Sequence, residues 1–182
     1  MNLQRGRHRK VKLFAKQLTE MSTWVQIPVS PPNRKVKKMN STEYDNYMCK
    51  KYPKIFRDRN AQMTDTCMCW GFNINEGWHE LLNELCEKLQ LLEDTMGIET
   101  IAAQVKEKFG GLRFYYDIHF TPEKDSKIWM DIISDLVSYT EHLSFHTCEK
   151  CGKHGEVRGG GWIKTLCDEC ADGRPKIEVA ED

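Results

Sequence analysis

The chain has no apolar run approaching the roughly 20 residues that cross a bilayer, and no secretory apolar segment near its start. These absences predict a soluble, intracellular, cytoplasmic protein with no membrane partner. The chain also lacks the usual constellations of catalysis. No stretch sets a nucleophile beside a base, pairs two carboxylates, or leaves a metal-ligand set open, so an enzymatic role is the weakest of the readings open to it. An excess of charge of one sign is missing as well, since 27 Lys and Arg balance 27 Asp and Glu. The eight cysteines lack the regular spacing of an extracellular disulfide framework. Cys49, Cys67, Cys69 and Cys86 are placed irregularly, which suits a reducing compartment.

The zero balance hides an asymmetry. Residues 1–38 hold ten Lys or Arg and one acid, Glu20, so the rest of the chain carries a net −9. Residues 1–40 show no sustained hydrophobic period beyond a candidate helix within 8–20, and Pro28, Pro31 and Pro32 interrupt their end. They read as a basic, flexible arm, either a polyanion-binding segment or a solubilising tail; Met21 and Met39 offer alternative starts. At 182 residues, with 30% charged residues and a mean hydropathy of −0.63, the chain fits one ordinary domain, or one domain with a small appendage. The expected layout is an α+β body over 41–147, a zinc ribbon over 148–171 continuous with it, and an exposed tail over 172–182.

Within the body, Ser41 or Thr42 is expected to cap a short helix that reaches Lys51 and stops before Pro53. Residues 54–74 read as an irregular connection held to the core by Ile55, Phe56, Met63, Met68, Trp70 and Phe72. Asn75 is the expected cap of the clearest helix, in which Trp78, Leu81, Leu82, Leu85, Cys86, Leu89 and Leu92 make one apolar stripe and Gly97 offers a stop. The segment TIAAQVKEKFGGLRFYYDIHF alternates with period two and predicts a β-hairpin turning at Gly110 and Gly111, with Ala103, Val105, Phe109, Leu112, Phe114, Tyr116 and Ile118 on the core face. Glu107 falls on that same face, opposite Phe114, either as an acid of raised pKa or as a paired or rim carboxylate. Beyond Pro122 and Asp125, Ile128, Ile132, Leu136, Tyr139 and Leu143, flanked by Ile133, Val137 and Thr140, describe a second long helix. The predicted fold class is α+β: two amphipathic helices packed on a β-hairpin or small antiparallel sheet, with no parallel crossover demanded, and a C-terminal zinc ribbon.

The most specific feature is CEKCGKHGEVRGGGWIKTLCDEC, residues 148–170, in which two Cys-x-x-Cys pairs flank fifteen residues. Each pair presents two thiolates from a tight knuckle, and the intervening stretch suffices for a hairpin that brings the knuckles together around one tetrahedral Zn²⁺. Cys148, Cys151, Cys167 and Cys170 are the expected ligands. Four protein ligands close the site and leave no position for an activated water, so the zinc is structural. Two disulfides or four unrelated thiols are the alternatives. His146 and His154 flank the first knuckle as substitute ligands, outer neighbours or exposed side chains. Cys49, Cys67, Cys69 and His79 are weaker candidates for a second metal site, with Cys86 a core residue.

The segments CKKYPKIF, TCMCWGF with the following EGW, QVKEKFGGLRFYY, and TCEKCG with GGGWIKTLCDEC together resemble a family of small zinc-ribbon-containing proteins encoded by bacteriophages and prophages. The resemblance covers residues 43–171. It implies phage-type origin and a zinc-ribbon end, and it carries over no catalytic residue. Similar sequences often close the second pair with His where this chain has Cys170; thiolate and imidazole both serve zinc, so the site stands.

With Gly110 and Gly111 as the turn, Lys108 lies opposite Arg113 and Lys106 opposite Tyr115 on the face away from the core. Like charges directly opposite one another destabilise a strand pair, which marks Lys106, Lys108, Arg113 and Tyr115 as a candidate contact surface for a phosphate-bearing ligand or an acidic protein patch, against the bland reading of a solvated face. The leading functional expectation is a non-enzymatic binding protein that occupies a host factor or an anionic ligand, in counter-defence or host takeover. Nucleic-acid binding is the alternative, since zinc ribbons and basic arms both serve it.

Overall fold

The computed structural model describes residues 39–120 and 126–177; the basic arm over 1–38 lies outside them. Helix α1, Ser41–Lys51, is capped by Asn40 rather than by Ser41 or Thr42. The reason is the capping box: Asn40 Oδ1 accepts the Glu43 N–H at 2.9 Å while Glu43 Oε2 accepts the Asn40 N–H at 3.0 Å, and only a cap at 40 puts the glutamate at the third helical position. Tyr44 and Met48, one turn apart, are buried. In the connection that follows, Ile55, Phe56 and Met68 are core residues and Phe72 packs against them, but Met63 and Trp70 are exposed.

A short 3₁₀ turn, Glu76–Trp78, leads into α2, His79–Met96. Its stripe of Leu81, Leu82, Leu85, Cys86, Leu89 and Leu92 is buried as the periodicity predicts, and Gly97 ends it in the left-handed conformation, φ 65°, with its N–H on the Glu93 carbonyl at 2.7 Å.

The sheet is mixed, not purely antiparallel. Strand β1, Phe72–Asn73, runs parallel to β2, Glu99–Lys108, which pairs antiparallel with β3, Gly111–His119. Helix α2 is thus the crossover between two parallel strands. The hairpin turns one residue earlier than the paired glycines suggest: Lys108 pairs with Gly111, and Phe109 and Gly110 form the loop with φ 54° and 78°. Two positive φ values mark a type I′ turn. Gly111 is required in the strand instead, because a β-carbon there would come within 2.9 Å of Phe145 Cε1. Phe109 therefore occupies the left-handed position, at a cost of about 1 kcal/mol, and points into solvent rather than into the core. Lys106, not Lys108, faces Arg113, and Tyr115 faces Gln104. An irregularity between Ala102 and Gln104 shifts the register beyond the bulge, leaving Ile101 and Ala102 both buried and Ala103 half-exposed.

Helix α3, Ser126–Ser144, lies along the outer edge of β3. Its core stripe is Trp129, Ile133, Leu136, Val137, Thr140 and Ser144, whereas Ile128 and Tyr139 are exposed. Two of its side chains close the strand edge: Ser144 Oγ accepts the Leu112 N–H at 2.8 Å and Glu141 Oε1 accepts the Phe114 N–H at 2.9 Å. An edge strand whose donors are satisfied in this way cannot recruit another strand there.

The C-terminal segment forms a second sheet of β4, Glu156–Arg158, and β5, Lys164–Leu166, antiparallel. The first part of the expected tail is docked on it. Ile177 donates to the Val157 carbonyl at 3.0 Å, Gly159 donates to the Pro175 carbonyl at 2.9 Å, and the buried Arg158 guanidinium reaches the Arg174 carbonyl and Asp168. No described helix is long and apolar enough to cross a membrane.

Candidate metal centre

The first knuckle begins where α3 runs out, without a linker. Cys148 is buried, its N–H donates to the Lys153 carbonyl at 2.7 Å, and its carbonyl accepts from Gly152 at 2.9 Å, closing a tight turn that needs φ 75° at Gly152. The second knuckle is the 3₁₀ turn Asp168–Cys170, in which Cys170 donates to the Cys167 carbonyl at 3.1 Å. Strands β4 and β5 bring the two together. The four sulfurs of Cys148, Cys151, Cys167 and Cys170 lie within 4.8 Å of one another, and Cys151 Sγ stands 3.6 Å from Cys167 Sγ.

That separation decides between the sequence alternatives. A disulfide brings its sulfurs to about 2 Å, whereas two thiolates on one tetrahedral zinc, each bonded at about 2.3 Å, sit about 3.8 Å apart. None of the eight cysteines is disulfide-bonded, and the cluster has the spacing of a metal site. Burial opposes ionisation of Cys167, but hydrogen bonds from Cys170 and the other thiols outweigh it and lower that thiol. Burial, with help from the neighbouring sulfurs, pushes Cys151 up to about 12. A bound cation would favour the thiolate form of all four.

No other group of three or more metal-ligating side chains comes together among the described residues. Cys49 lies near Asp45, Cys69 donates to the Thr66 carbonyl, and His79 is buried in a stack on Tyr44 with ring centroids 3.5 Å apart. His146 and His154 are exposed and lie parallel to each other at 6.4 Å, outside the sulfur cluster.

Sequence reasoning missed the seat on which the first knuckle rests. Gly77 donates to the Glu149 carbonyl at 2.8 Å and Trp78 Nε1 donates to the Thr147 carbonyl at 2.7 Å. Asn75, expected as a helix cap, makes no cap bond and instead donates from Nδ2 to Glu149 Oε1 at 2.9 Å. Glu149, within the first Cys-x-x-Cys, is fully buried; its Oε1 also binds Lys164 Nζ at 2.5 Å, and its Oε2 is buried without a hydrogen-bond partner. The clue in the sequence was the run NEGW ahead of α2, whose glycine serves close approach rather than a turn.

Compared with protein-family models, curated proteins and solved structures, the chain matches none.

The candidate contact face is brought together only in part. Lys106 Nζ lies 5.1 Å from the Tyr115 ring centroid and Lys108 Nζ 5.3 Å from that of Phe109, and neither ammonium has a carboxylate partner among the described residues. Arg113 is committed elsewhere: it donates to the Leu112 carbonyl, lies 3.7 Å from Glu141 and packs on Phe145. Glu107 faces Leu112, not Phe114, and both its oxygens are engaged, accepting from Gly110 N–H at 2.7 Å and from Trp162 Nε1 at 2.8 Å.

Proposed function

We propose that this is a zinc-stabilised binding protein of phage type, which works by occupying an anionic partner rather than by catalysis. The cluster is read as a zinc ribbon: an all-sulfur tetrahedral set favours zinc among the common cellular cations, and four thiolates fill its coordination, giving the metal a structural role. The partner is a phosphate-bearing ligand or an acidic patch on a host protein, met in the host cytoplasm during host takeover or counter-defence.

The observation that carries the binding reading is the pair of unpartnered ammonium groups, Lys106 and Lys108, each beside an exposed or half-exposed ring, on a chain whose residues 39–182 are net acidic. The test is Lys106→Glu with Lys108→Glu, measured for affinity to inorganic polyphosphate. Arg113 is left intact because it holds α3 to β3. Affinity should fall at least ten-fold with metal content and melting temperature unchanged. Undiminished binding would remove this face from consideration. A nucleic-acid ligand is the second reading, favoured by the exposed aromatic side chains next to these lysines.

A further inference from the structure

Two large aromatic side chains stand exposed where the β2–β3 turn meets the loop between β4 and β5: Phe109, 65% exposed, and Trp162, 67% exposed. A single carboxylate braces both sites. Glu107 Oε1 holds the N–H of Gly110, the residue after Phe109, and Glu107 Oε2 holds the indole N–H of Trp162. The turn is fixed from the other side by Thr165 Oγ1, which donates to the Gly110 carbonyl at 2.6 Å. Phe109 is strained as well as exposed, since its φ of 54° is the conformation that Asn or Gly adopts at this place in a type I′ turn. An exposed ring gains nothing from the core, and strained positions of this kind concentrate where ligands are met. Lys108 lies beside the Phe109 ring, and Lys106 lies beside the Tyr115 ring, itself 42% exposed.

We propose that this end of the hairpin is a stacking platform for the unpaired bases of single-stranded nucleic acid, with Phe109 and Trp162 taking bases and Lys106 and Lys108 taking phosphates on the Phe109 side. The proposal rests on the reading that this face meets an anionic ligand, and it names the ligand. Exposed rings match bases, which all share a π-face, and the ammonium groups beside Phe109 and Tyr115 match the phosphate backbone. A duplex keeps its bases stacked inside, and its long track of phosphates would run onto an acidic body. An acidic peptide would use the lysines and leave the two flat rings unexplained.

The experiment uses the full chain and fluorescence anisotropy with three probes: a mixed-sequence 12-nucleotide single strand, an abasic strand of equal length and charge, and a poly-glutamate peptide. The basic residues of 1–38 are the same in every variant, so differences report the hairpin end. The wild type should bind the base-bearing strand at least ten-fold more tightly than the abasic one, in line with roughly five- to hundred-fold per stacked base. Phe109→Asn, which suits the turn, and Trp162→Ala should each shrink that ratio with metal content unchanged. Equal binding of the two strands by the wild type, or a ratio that survives both variants, overturns the stacking proposal while leaving the anionic reading in place. Tighter binding of poly-glutamate overturns it in favour of an acidic protein. No binding to any probe overturns both.

Discussion

Gly77 donates its N–H to the carbonyl of Glu149 at 2.8 Å, 72 residues along the chain, and has no room for a side chain there: a β-carbon would sit 2.6 Å from Glu149 C and 2.7 Å from its oxygen. Through this contact the turn that opens α2 and the knuckle that carries two of the four thiols become one unit. Trp78, fully buried in the core, adds its indole N–H on the Thr147 carbonyl. A metal held by the four cysteines would thereby be coupled to the packing of the body.

Gly77→Ala should lower both stability and metal retention. Neither backbone can yield without moving the core or the knuckle, so the overpacking cost is about 1–3 kcal/mol, or several degrees of melting temperature at about 2–4 °C per kcal/mol for a chain of this size. Thermal melts with and without a competing chelator check it. A variant that melts like the wild type would show that the contact is slack.

Purified reduced protein should contain one zinc per chain, and Cys148→Ser with Cys167→Ser should remove it. Chelation should raise amide hydrogen exchange at residues 75–78 and at the end of α3 as well as at the knuckles, because Gly77, Trp78 and Asn75 all bond to residues 147–149. Exchange confined to 148–170 would mean that the centre unfolds alone.

Lys164→Met should destabilise the protein by about 3 kcal/mol, since it leaves the fully buried Glu149 without its cation. Adding Glu149→Gln should recover much of that loss, because the buried charge is then gone and Asn75 still has an oxygen to bond. Denaturant midpoints of the two single variants and the double form a cycle; strictly additive losses would rule out the coupling.

Acid should weaken the fold through His79. Burial lowers its imidazole from 6.5 to about 4, so between those values the unfolded chain takes up a proton that the folded chain refuses. Its contribution is whole above pH 6.5 and is lost as pH falls toward 4. His79→Phe keeps a ring for the stack on Tyr44 and removes the titration. The drop in denaturant midpoint between pH 7 and pH 5 should be smaller in this variant, and an equal drop would assign the acid limb to other groups.

Much of the molecule was legible before folding was considered. The stripe from Trp78 to Leu92 repeats at 3.6 residues and buries as a helix must; Gly97 stops it by adopting a conformation that costs other residues more. The four cysteines announced themselves because ligand spacing in a knuckle is a local property, set by a turn of four residues. Alternation around FGG was enough to demand a hairpin. It was not enough to place the turn, since either glycine pair or Phe109–Gly110 can reverse the chain.

What only the tertiary structure decided has one physical cause: contacts between segments far apart in sequence leave no local period. Phe145, more than thirty residues away, presses on Gly111 and so moves the turn to Phe109, which exchanges the partner of Arg113 and turns an expected core ring out to solvent. Strand β1 is only two residues long and acquires its role from β2. Glu149 lies inside a metal-binding motif where any polar residue would read as exposed, and its burial exists only because Asn75, Gly77 and Lys164 converge on it. The sequence by itself determined the three helices, the hairpin and which thiols meet; the packing of α3 and of the turn before α2 determined which side chains are left facing outward.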